Sequence, residues 1–295
     1  MSMKVGFIGL GLMGQAMSHN LVKDGYEVFG YDILPGQIKR AEEKGVIGLG
    51  SPREVAGEAE LVISALPNAK IVEEVHCGPN GTSEGADKGA VLVDTSTISP
   101  EDARRIAHRL ASQGFVFIDA PISGASGMVV KRDCLVMAGG DREALEKCMP
   151  VFNAIAKKVI HAGPSGAGSQ MMKLVHNHLI ATISVSIAEA FALGIKAGID
   201  PGMMLEAFIP GAAGSKMLEV RGPLMVDNKY EPFMKAELFL KDLRLILENG
   251  QNQGAALPLA GVAQQMMTAC VSMGYGQEDV AAVLKVYEKL AGIER

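Results

Sequence analysis

From Gly9 to Gly14 the chain reads Gly9-Leu10-Gly11-Leu12-Met13-Gly14, a G-x-G-x-x-G. Lys4–Ile8 before it has the apolar character of a strand, and Met13–Lys23 after it has helical spacing. In that setting the motif is a phosphate-binding turn. Gly9 permits the tight turn, Gly11 lets the backbone approach a pyrophosphate, and Gly14 lets the helix pack closely on the sheet. The helix N-terminus offers free N–H groups and the positive end of its dipole to the phosphates. Asp32, which closes Glu27-Val28-Phe29-Gly30-Tyr31-Asp32, fills the place about 20 residues on where an acid accepts the adenosine ribose hydroxyls. A carboxylate there repels the 2′-phosphate of NADP, so NAD is the expected cofactor. Lys39 and Arg40 follow soon after and keep NADP in view. Asp32 also suits a turn cap before Pro35.

Such a site needs a sheet beneath it. Lys4–Ile8, Glu27–Tyr31, Leu61–Leu66, Val91–Asp94, Phe115–Ile118 and Leu135–Ala138 read as strands. Between them Met13–Lys23, Pro35–Lys44, Ile71–Val75, Pro100–Gln113 and Arg142–Ala156 have helical spacing. Strands rich in Val, Ile and Leu that alternate with helices predict a doubly wound parallel sheet, an α/β domain of the Rossmann kind. After the Gly-rich stretch His161–Ser169 the period-2 signal ends. Ser169–Ala197 reads as one helix of about 29 residues, roughly 43 Å long. Helical segments follow at Met203–Phe208, Ser215–Asp227, Ala236–Gln253, Leu259–Met273 and Gln277–Leu290. The expected organisation is a nucleotide-binding domain over 1–165 and an all-α domain for substrate binding and oligomerisation over 166–295.

Composition narrows the function further. The 295 residues are 48% hydrophobic and 21% charged with a net charge of −5, which gives no basic surface for nucleic acid. Cys77, Cys134, Cys148 and Cys270 lie far apart without ligand spacing, so buried thiols are expected rather than disulfides or a metal site. The N-terminal apolar stretch is short and broken by glycines, unlike a signal peptide. Leu179–Leu193 carries Glu189 and falls short of the roughly 20 residues of a bilayer span, which predicts a buried helix and no membrane partner. A reducing compartment, most simply the cytoplasm, is expected.

Four motifs then stand in order: Gly6–Gly14, Asp119-Ala120-Pro121-Ile122-Ser123-Gly124-Ala125, Gly166–Asn177 and Lys241-Asp242-Leu243. In this order and spacing, from Lys4 to about Gly292, the sequence resembles the β-hydroxyacid dehydrogenase family. Its members include 3-hydroxyisobutyrate dehydrogenase, tartronate semialdehyde reductase and 2-(hydroxymethyl)glutarate dehydrogenase. The resemblance implies that Lys173 is catalytic. Interconverting an alcohol and an aldehyde moves a hydride to or from nicotinamide and needs a proton donor or acceptor at the oxygen. Asn177, four residues on, shares a helix face with Lys173 and is expected to orient the substrate oxygen. Ser123, Gly124 and Ala125 match the loop that holds the substrate carboxylate. Leu66, Pro67, Asn68 and Thr97 match cofactor contacts, and Lys241, beside Asp242, matches the lysine that closes the site. By itself, Lys241–Asp242 would read as a solvated charged pair.

Two departures stand out. The family's second Gly is Ala125, and its Gly-Thr-Leu is Arg132-Asp133-Cys134. The substrate implied is a small 3-hydroxy acid or its semialdehyde, and a homodimer or homotetramer is expected. Gly211–Met217 resembles a segment near the substrate. Lys216, Arg221 and Lys235 are candidate anchors for a second anionic group, although each would ordinarily be a surface charge. Imine reductases and a non-catalytic dinucleotide-binding module are the alternatives on this fold. Both commonly lack a lysine at the place of Lys173. 6-Phosphogluconate dehydrogenases have a larger helical domain.

Overall fold

Buried apolar strands that alternate with amphipathic helices build the first half of the chain. A computed structural model describes residues 3–295. Met1 and Ser2, the start of the N-terminal stretch considered above, lie outside the described residues. Two units part between Lys173 and Leu174, inside one helix. The break falls eight residues beyond the expected boundary after residue 165.

Among the described residues the first unit has nine strands: β1 (Lys4–Ile8), β2 (Glu27–Tyr31), β3 (Ile47–Gly48), β4 (Leu61–Ser64), β5 (Val91–Asp94), β6 (Val116–Asp119), β7 (Ile122–Ser123), β8 (Leu135–Ala138) and β9 (Lys158–His161). Its helices are α1 (Leu12–Lys23), α2 (Pro35–Glu42), α3 (Pro52–Glu58), α4 (Ala69–Cys77), α5 (Thr82–Gly85), α6 (Pro100–Ser112), α7 (Ser126–Val130) and α8 (Arg142–Ile155). Six strands form one parallel sheet in the order β3-β2-β1-β4-β5-β6. The order reverses between β1 and β4, so the sheet has its switch point beside the glycine turn, where open α/β sheets bind ligands. Both faces are covered, which is why β4 and β5 are buried throughout.

Leu135–Ala138, expected in this sheet, instead lies in a second one. There β7 pairs antiparallel with β8, and β8 parallel with β9. β3 and β7 are two residues each, too short to show a period, and β9 begins and ends on exposed residues. Ser51, Asn68, Ser99 and Asp141 cap the helices that follow them through their side chains. Such caps contribute about 1 kcal/mol each.

α9 (Ser169–Lys196) starts in the first unit and continues in the second. With 28 residues it is long and apolar enough, by length and composition alone, to cross a membrane, a test that the core helix of a soluble protein also passes. It is not wholly buried. Leu174, Ala181, Val185, Ala188 and Phe191 enter the core, whereas Val175, Leu179 and Leu193 are exposed.

The second unit adds α10 (Pro201–Phe208), α11 (Lys216–Asp227), α12 (Ala236–Asn252), α13 (Pro258–Cys270) and α14 (Val283–Ala291). The segment expected to continue α13 to Met273 passes into a π turn broken at Gly274, whose φ is +94°. Asp279, fully buried, organises the last quarter of the chain. It accepts Arg221 Nε and the Ala281 N–H on Oδ1, and the Phe233 and Met234 N–H groups on Oδ2, all at 3.0 Å. Asp279→Ala leaves the buried Arg221 guanidinium and three amides without this acceptor. A loss of about 3–5 kcal/mol is expected, to be read as a lowered midpoint in urea. A midpoint equal to wild type would remove Asp279 from this role.

Candidate active site

The glycine turn is shaped by what a side chain would meet. Gly9 has φ +86°, and a Cβ on it would stand 2.3 Å from the Ala65 carbonyl oxygen. On Gly14 a Cβ would lie 1.9 Å from the Gly9 carbonyl oxygen, while on Gly11 it would meet nothing within 4 Å. Two glycines therefore let the strand, turn and α1 close on one another, and the third leaves a bare backbone facing open space. Gly11 caps α1 without any side-chain bond. That cradle fits a dinucleotide pyrophosphate.

Asp32 sits at the rim, partly buried. It accepts the Leu10 N–H on Oδ2 at 2.7 Å and the Leu34 N–H on Oδ1 at 2.8 Å. The turn-capping role before Pro35 is thus real, and the same carboxylate holds the glycine turn. Lys39 and Arg40 are exposed on α2. Leu66-Pro67-Asn68 and Thr97 follow β4 and β5 at their carboxyl ends. Asn68 caps α4 by accepting the Ile71 N–H at 3.1 Å, a structural duty that the motif alone did not show.

Lys173 is buried, 8% exposed, in the first turns of α9. Its Nζ donates to the Ile122 carbonyl at 2.7 Å, which brings it to the strand that opens the Ser123-Gly124-Ala125 loop. Gly124 has φ +146°, and a Cβ there would lie 2.7 Å from Cys134 Cβ. Ala125, by contrast, has φ −82° and caps the short α7, a conformation open to any residue. The backbone therefore does not require the family's second glycine. Arg132 takes φ +56° where the family has Gly, and its guanidinium is anchored to Asp24 at 2.5 Å.

The start of α9 is fixed by Asp119, at the end of β6. Fully buried, Asp119 accepts Ser165 Oγ at 2.6 Å, the Gly166 N–H at 3.1 and 3.2 Å, and the Ser169 hydroxyl. Burial pushes its carboxyl up, and these donors pull it back. Gly168 has no room for a methyl, since a Cβ would lie 1.5 Å from the Ala162 carbonyl oxygen.

In the second unit Asn177, 1% exposed, donates from Nδ2 to Asp242 Oδ2 at 2.7 Å. Asp242 Oδ1 faces the Lys241 ammonium at 3.2 Å. Lys241 and Asp242 are therefore not a simple solvated pair, because Asp242 is buried on α12. Arg221, a candidate substrate anchor, is committed to Asp279 and is withdrawn from that role. Lys235 Nζ donates to Gln277 at 2.6 Å, and Lys216 pairs with Glu219 at 3.0 Å.

Several polar residues at the carboxyl edge of the sheet were not singled out from sequence: Asp94, Ser96, Asp119 and Gln170. The signal lay in the motifs themselves, at the first residue of Asp119–Ala125, and in Asp94-Thr95-Ser96-Thr97.

Residues 4–163 match the NAD binding domain of 6-phosphogluconate dehydrogenase, and 166–287 match the family described as NAD-binding of NADP-dependent 3-hydroxyisobutyrate dehydrogenase. The chain is 34% identical over 293 residues to 2-(hydroxymethyl)glutarate dehydrogenase of Eubacterium barkeri, covering 99% of this chain and 97% of that one. It is 32% identical to L-threonate dehydrogenase of Cupriavidus necator, with 97% of both chains covered. The crystal structure of 3-hydroxyisobutyrate dehydrogenase from Salmonella typhimurium superposes with a TM-score of 0.89 at 31% identity, over 97% of this chain and 100% of that one. An imine reductase from Pseudomonas sp. shares the fold alone, at 16% identity and a TM-score of 0.63 over 97% of this chain and 99% of that one.

Fold and site together define a nicotinamide-dependent oxidoreductase with a Rossmann domain and a helical second domain. The chain belongs to the β-hydroxyacid dehydrogenase family and uses NAD(P).

Proposed function

We propose that the protein interconverts a small 3-hydroxy acid and its semialdehyde, with Lys173 as general acid and base. The observation that carries this is the buried Nζ of Lys173 held against the Ile122 carbonyl, next to a loop able to receive a carboxylate. In the oxidative direction neutral Lys173 Nζ takes the hydroxyl proton as the C–O bond gains its second bond. In reduction the ammonium returns that proton to the carbonyl oxygen. The nicotinamide cofactor, when bound, accepts or supplies the hydride. Ser123 and the backbone of Gly124 and Ala125 hold the substrate carboxylate, and Asn177, fixed by Asp242, orients the substrate oxygen. The glycine turn Gly9–Gly14, Leu66-Pro67-Asn68, Thr97 and Lys241 hold the cofactor.

We also infer an NAD preference from Asp32. Its charge sits where a 2′-phosphate would enter, while Lys39 and Arg40 stand exposed on α2. Asp32→Asn removes the charge and keeps an acceptor for the turn. The wild-type ratio of kcat/KM for NAD over NADP should fall by about tenfold in this variant, equivalent to about 1.4 kcal/mol. An unchanged ratio would remove Asp32 from cofactor choice.

The substrate test is turnover of a panel of 3-hydroxy acids and semialdehydes with each cofactor: hydroxyisobutyrate, glycerate, hydroxymethylglutarate, succinic semialdehyde and sulfonated analogues. Cofactor binding without turnover of any member would overturn the reading. A homodimer or homotetramer is supported by the exposed Val175, Leu179 and Leu193 of α9, and light scattering of the purified protein decides it. Four buried free cysteines fit a reducing compartment such as the cytoplasm, which fractionation of the native cells would check.

A further inference from the structure

The segment Ser96-Thr97-Ile98 leaves β5 at the carboxyl edge of the sheet, and its backbone is gripped from two sides. On one side stands Gln170, fully buried in the first turn of α9. Its Nε2 donates to the Ser96 carbonyl at 3.1 Å, and its Oε1 accepts the Ile98 N–H at 3.2 Å. A single side-chain amide thus pairs with the backbone on either side of Thr97, as a neighbouring strand would.

On the other side Ser96 Oγ donates to Asp94 Oδ1 at 2.6 Å and accepts the Leu66 N–H at 2.8 Å. The Thr97 loop is thereby tied to the Leu66-Pro67-Asn68 loop. Asp94 also accepts the Ser64 hydroxyl at 2.7 Å, from the neighbouring position on β4. Behind Ser64 stands His76 of α4, with Nε2 2.9 Å from Ser64 Oγ and Nδ1 2.9 Å from Thr82 Oγ1. Burial pushes this imidazole down to about 4, so it is neutral near pH 7. With Ser64 donating to Asp94, the neutral ring donates from Nε2 and accepts the Thr82 hydroxyl at Nδ1. Every hydroxyl in the row then points towards Asp94, and the row is buried from end to end. It forms a fixed base for the segment that Gln170 grips.

We propose that Gln170 is a positioning residue, which sets the register between the Thr97 loop and the helix that carries Lys173. The proposal rests on the reading that Lys173 moves the proton and that the Thr97 loop receives the cofactor. Hydride and proton are exchanged at the two atoms of one C–O bond, so loop and lysine must be placed relative to each other. A misplacement of about 1 Å costs on the order of a hundredfold in rate. Gln170 and Lys173, three residues apart, are neighbours on the surface of one helix. The amide clamp is a direct polar link from that helix turn to the loop.

The test uses Gln170→Met, which keeps the bulk and loses both bonds, and Gln170→Glu. A protonated Glu carries an O–H and a C=O in the arrangement of the amide, whereas the carboxylate has lost the donor. For Gln170→Met, kcat should fall by at least about tenfold while the Kd for the cofactor, held mainly by the glycine turn and Asp32, changes by less than about threefold. For Gln170→Glu, the rate relative to wild type should rise by about fivefold or more between pH 8 and pH 6, as the introduced acid takes up its proton. The charged groups around this position are Lys173 on α9, Asp94 on β5 and Asp119 on β6. Burial raises the Asp94 carboxyl to about 6, inside this window; division by the wild-type rate at each pH removes the part of that titration common to both proteins, and circular dichroism at each pH confirms that the variant is folded. A Gln170→Met kcat within about twofold of wild type would overturn the proposal, as would a flat Gln170→Glu ratio or a loss of cofactor affinity that matches the loss of kcat. If Gln170→Met fails to fold, the Gln170→Glu ratio decides alone. Lys173→Ala is assayed in parallel. Full activity there rejects the underlying reading, whereas its collapse beside an active Gln170→Met rejects the clamp alone.

Discussion

Lys173→Ala should abolish turnover of the best substrate while leaving the cofactor bound. A positioned general acid or base contributes about 10²–10⁴-fold, so kcat should fall by that factor. The Kd for NAD, read by quenching or enhancement of cofactor fluorescence, should change by less than about threefold, because the glycine turn and Asp32 are untouched. The size of the effect follows from how the side chain is held. Lys173 is buried, and its Nζ is fixed by the Ile122 carbonyl at 2.7 Å rather than free to sample solvent. Lys173→Arg separates charge from proton transfer. A guanidinium keeps the positive charge but cannot be deprotonated in a protein, so it can neither take the alcohol proton nor release one. The arginine variant should therefore lose nearly as much as the alanine variant. Retention of wild-type kcat in Lys173→Arg would mean that Lys173 serves by its charge alone, and retention in Lys173→Ala would remove it from the chemistry.

The sequence shows this site unevenly, for physical reasons. The glycine turn was legible because its three positions answer three separate steric demands, and the structure finds each one: closure at Gly9, closure at Gly14 and open space at Gly11. The strands of the main sheet were legible because burial on both faces forces continuous apolar runs. Two-residue strands such as β3 and β7 leave no such trace, and β8 gave no hint that it belongs to a second sheet. Lys173 was not legible from spacing, since a lone lysine on a long helix is ordinarily solvated; it emerged from the motif around it. Asp94, Asp119 and Gln170 were hidden for the opposite reason. They act through partners 2, 30, 46–50 and 72–74 positions away, distances at which local pattern mostly carries no signal. Ala125 and Arg132 show a third case. As sequence both were departures from the family pattern, the one at Arg132 the larger, and the backbone separates them: Ala125 occupies a conformation open to any residue, whereas Arg132 holds a left-handed one.

Asp119→Ala is expected to have the largest effect on stability in the first unit, and to disturb catalysis by a route separate from Lys173 itself. The carboxylate joins β6 to the start of α9 through Ser165, Gly166 and Ser169, and it is fully buried. Its own backbone exchanges two hydrogen bonds with Gly139, at 2.7 and 3.1 Å. A Cβ on Gly139 would lie 2.9 Å from Asp119 Oδ1, so the space around the carboxylate is closely packed. Alanine leaves three donors without their acceptor, the Gly166 N–H and the Ser169 hydroxyl buried and the Ser165 hydroxyl half-buried, and each buried loss costs about 1–3 kcal/mol. A total of at least about 3 kcal/mol is expected, or roughly 6–12 °C in Tm for a chain of this size. Since α9 begins at these contacts and Lys173 stands one turn further on, kcat should fall even at temperatures where the variant is fully folded. Asp119→Asn supplies the contrast. It keeps an acceptor for Ser165 and Gly166, and the Ser169 hydroxyl can rotate to accept from the new amide, so most of both losses should be recovered. Differential scanning calorimetry and steady-state rates on the two variants decide the matter. A Tm for Asp119→Ala within about 2 °C of wild type would mean that water replaces the carboxylate at no cost, and the buried junction would then not be what holds the lysine helix in place.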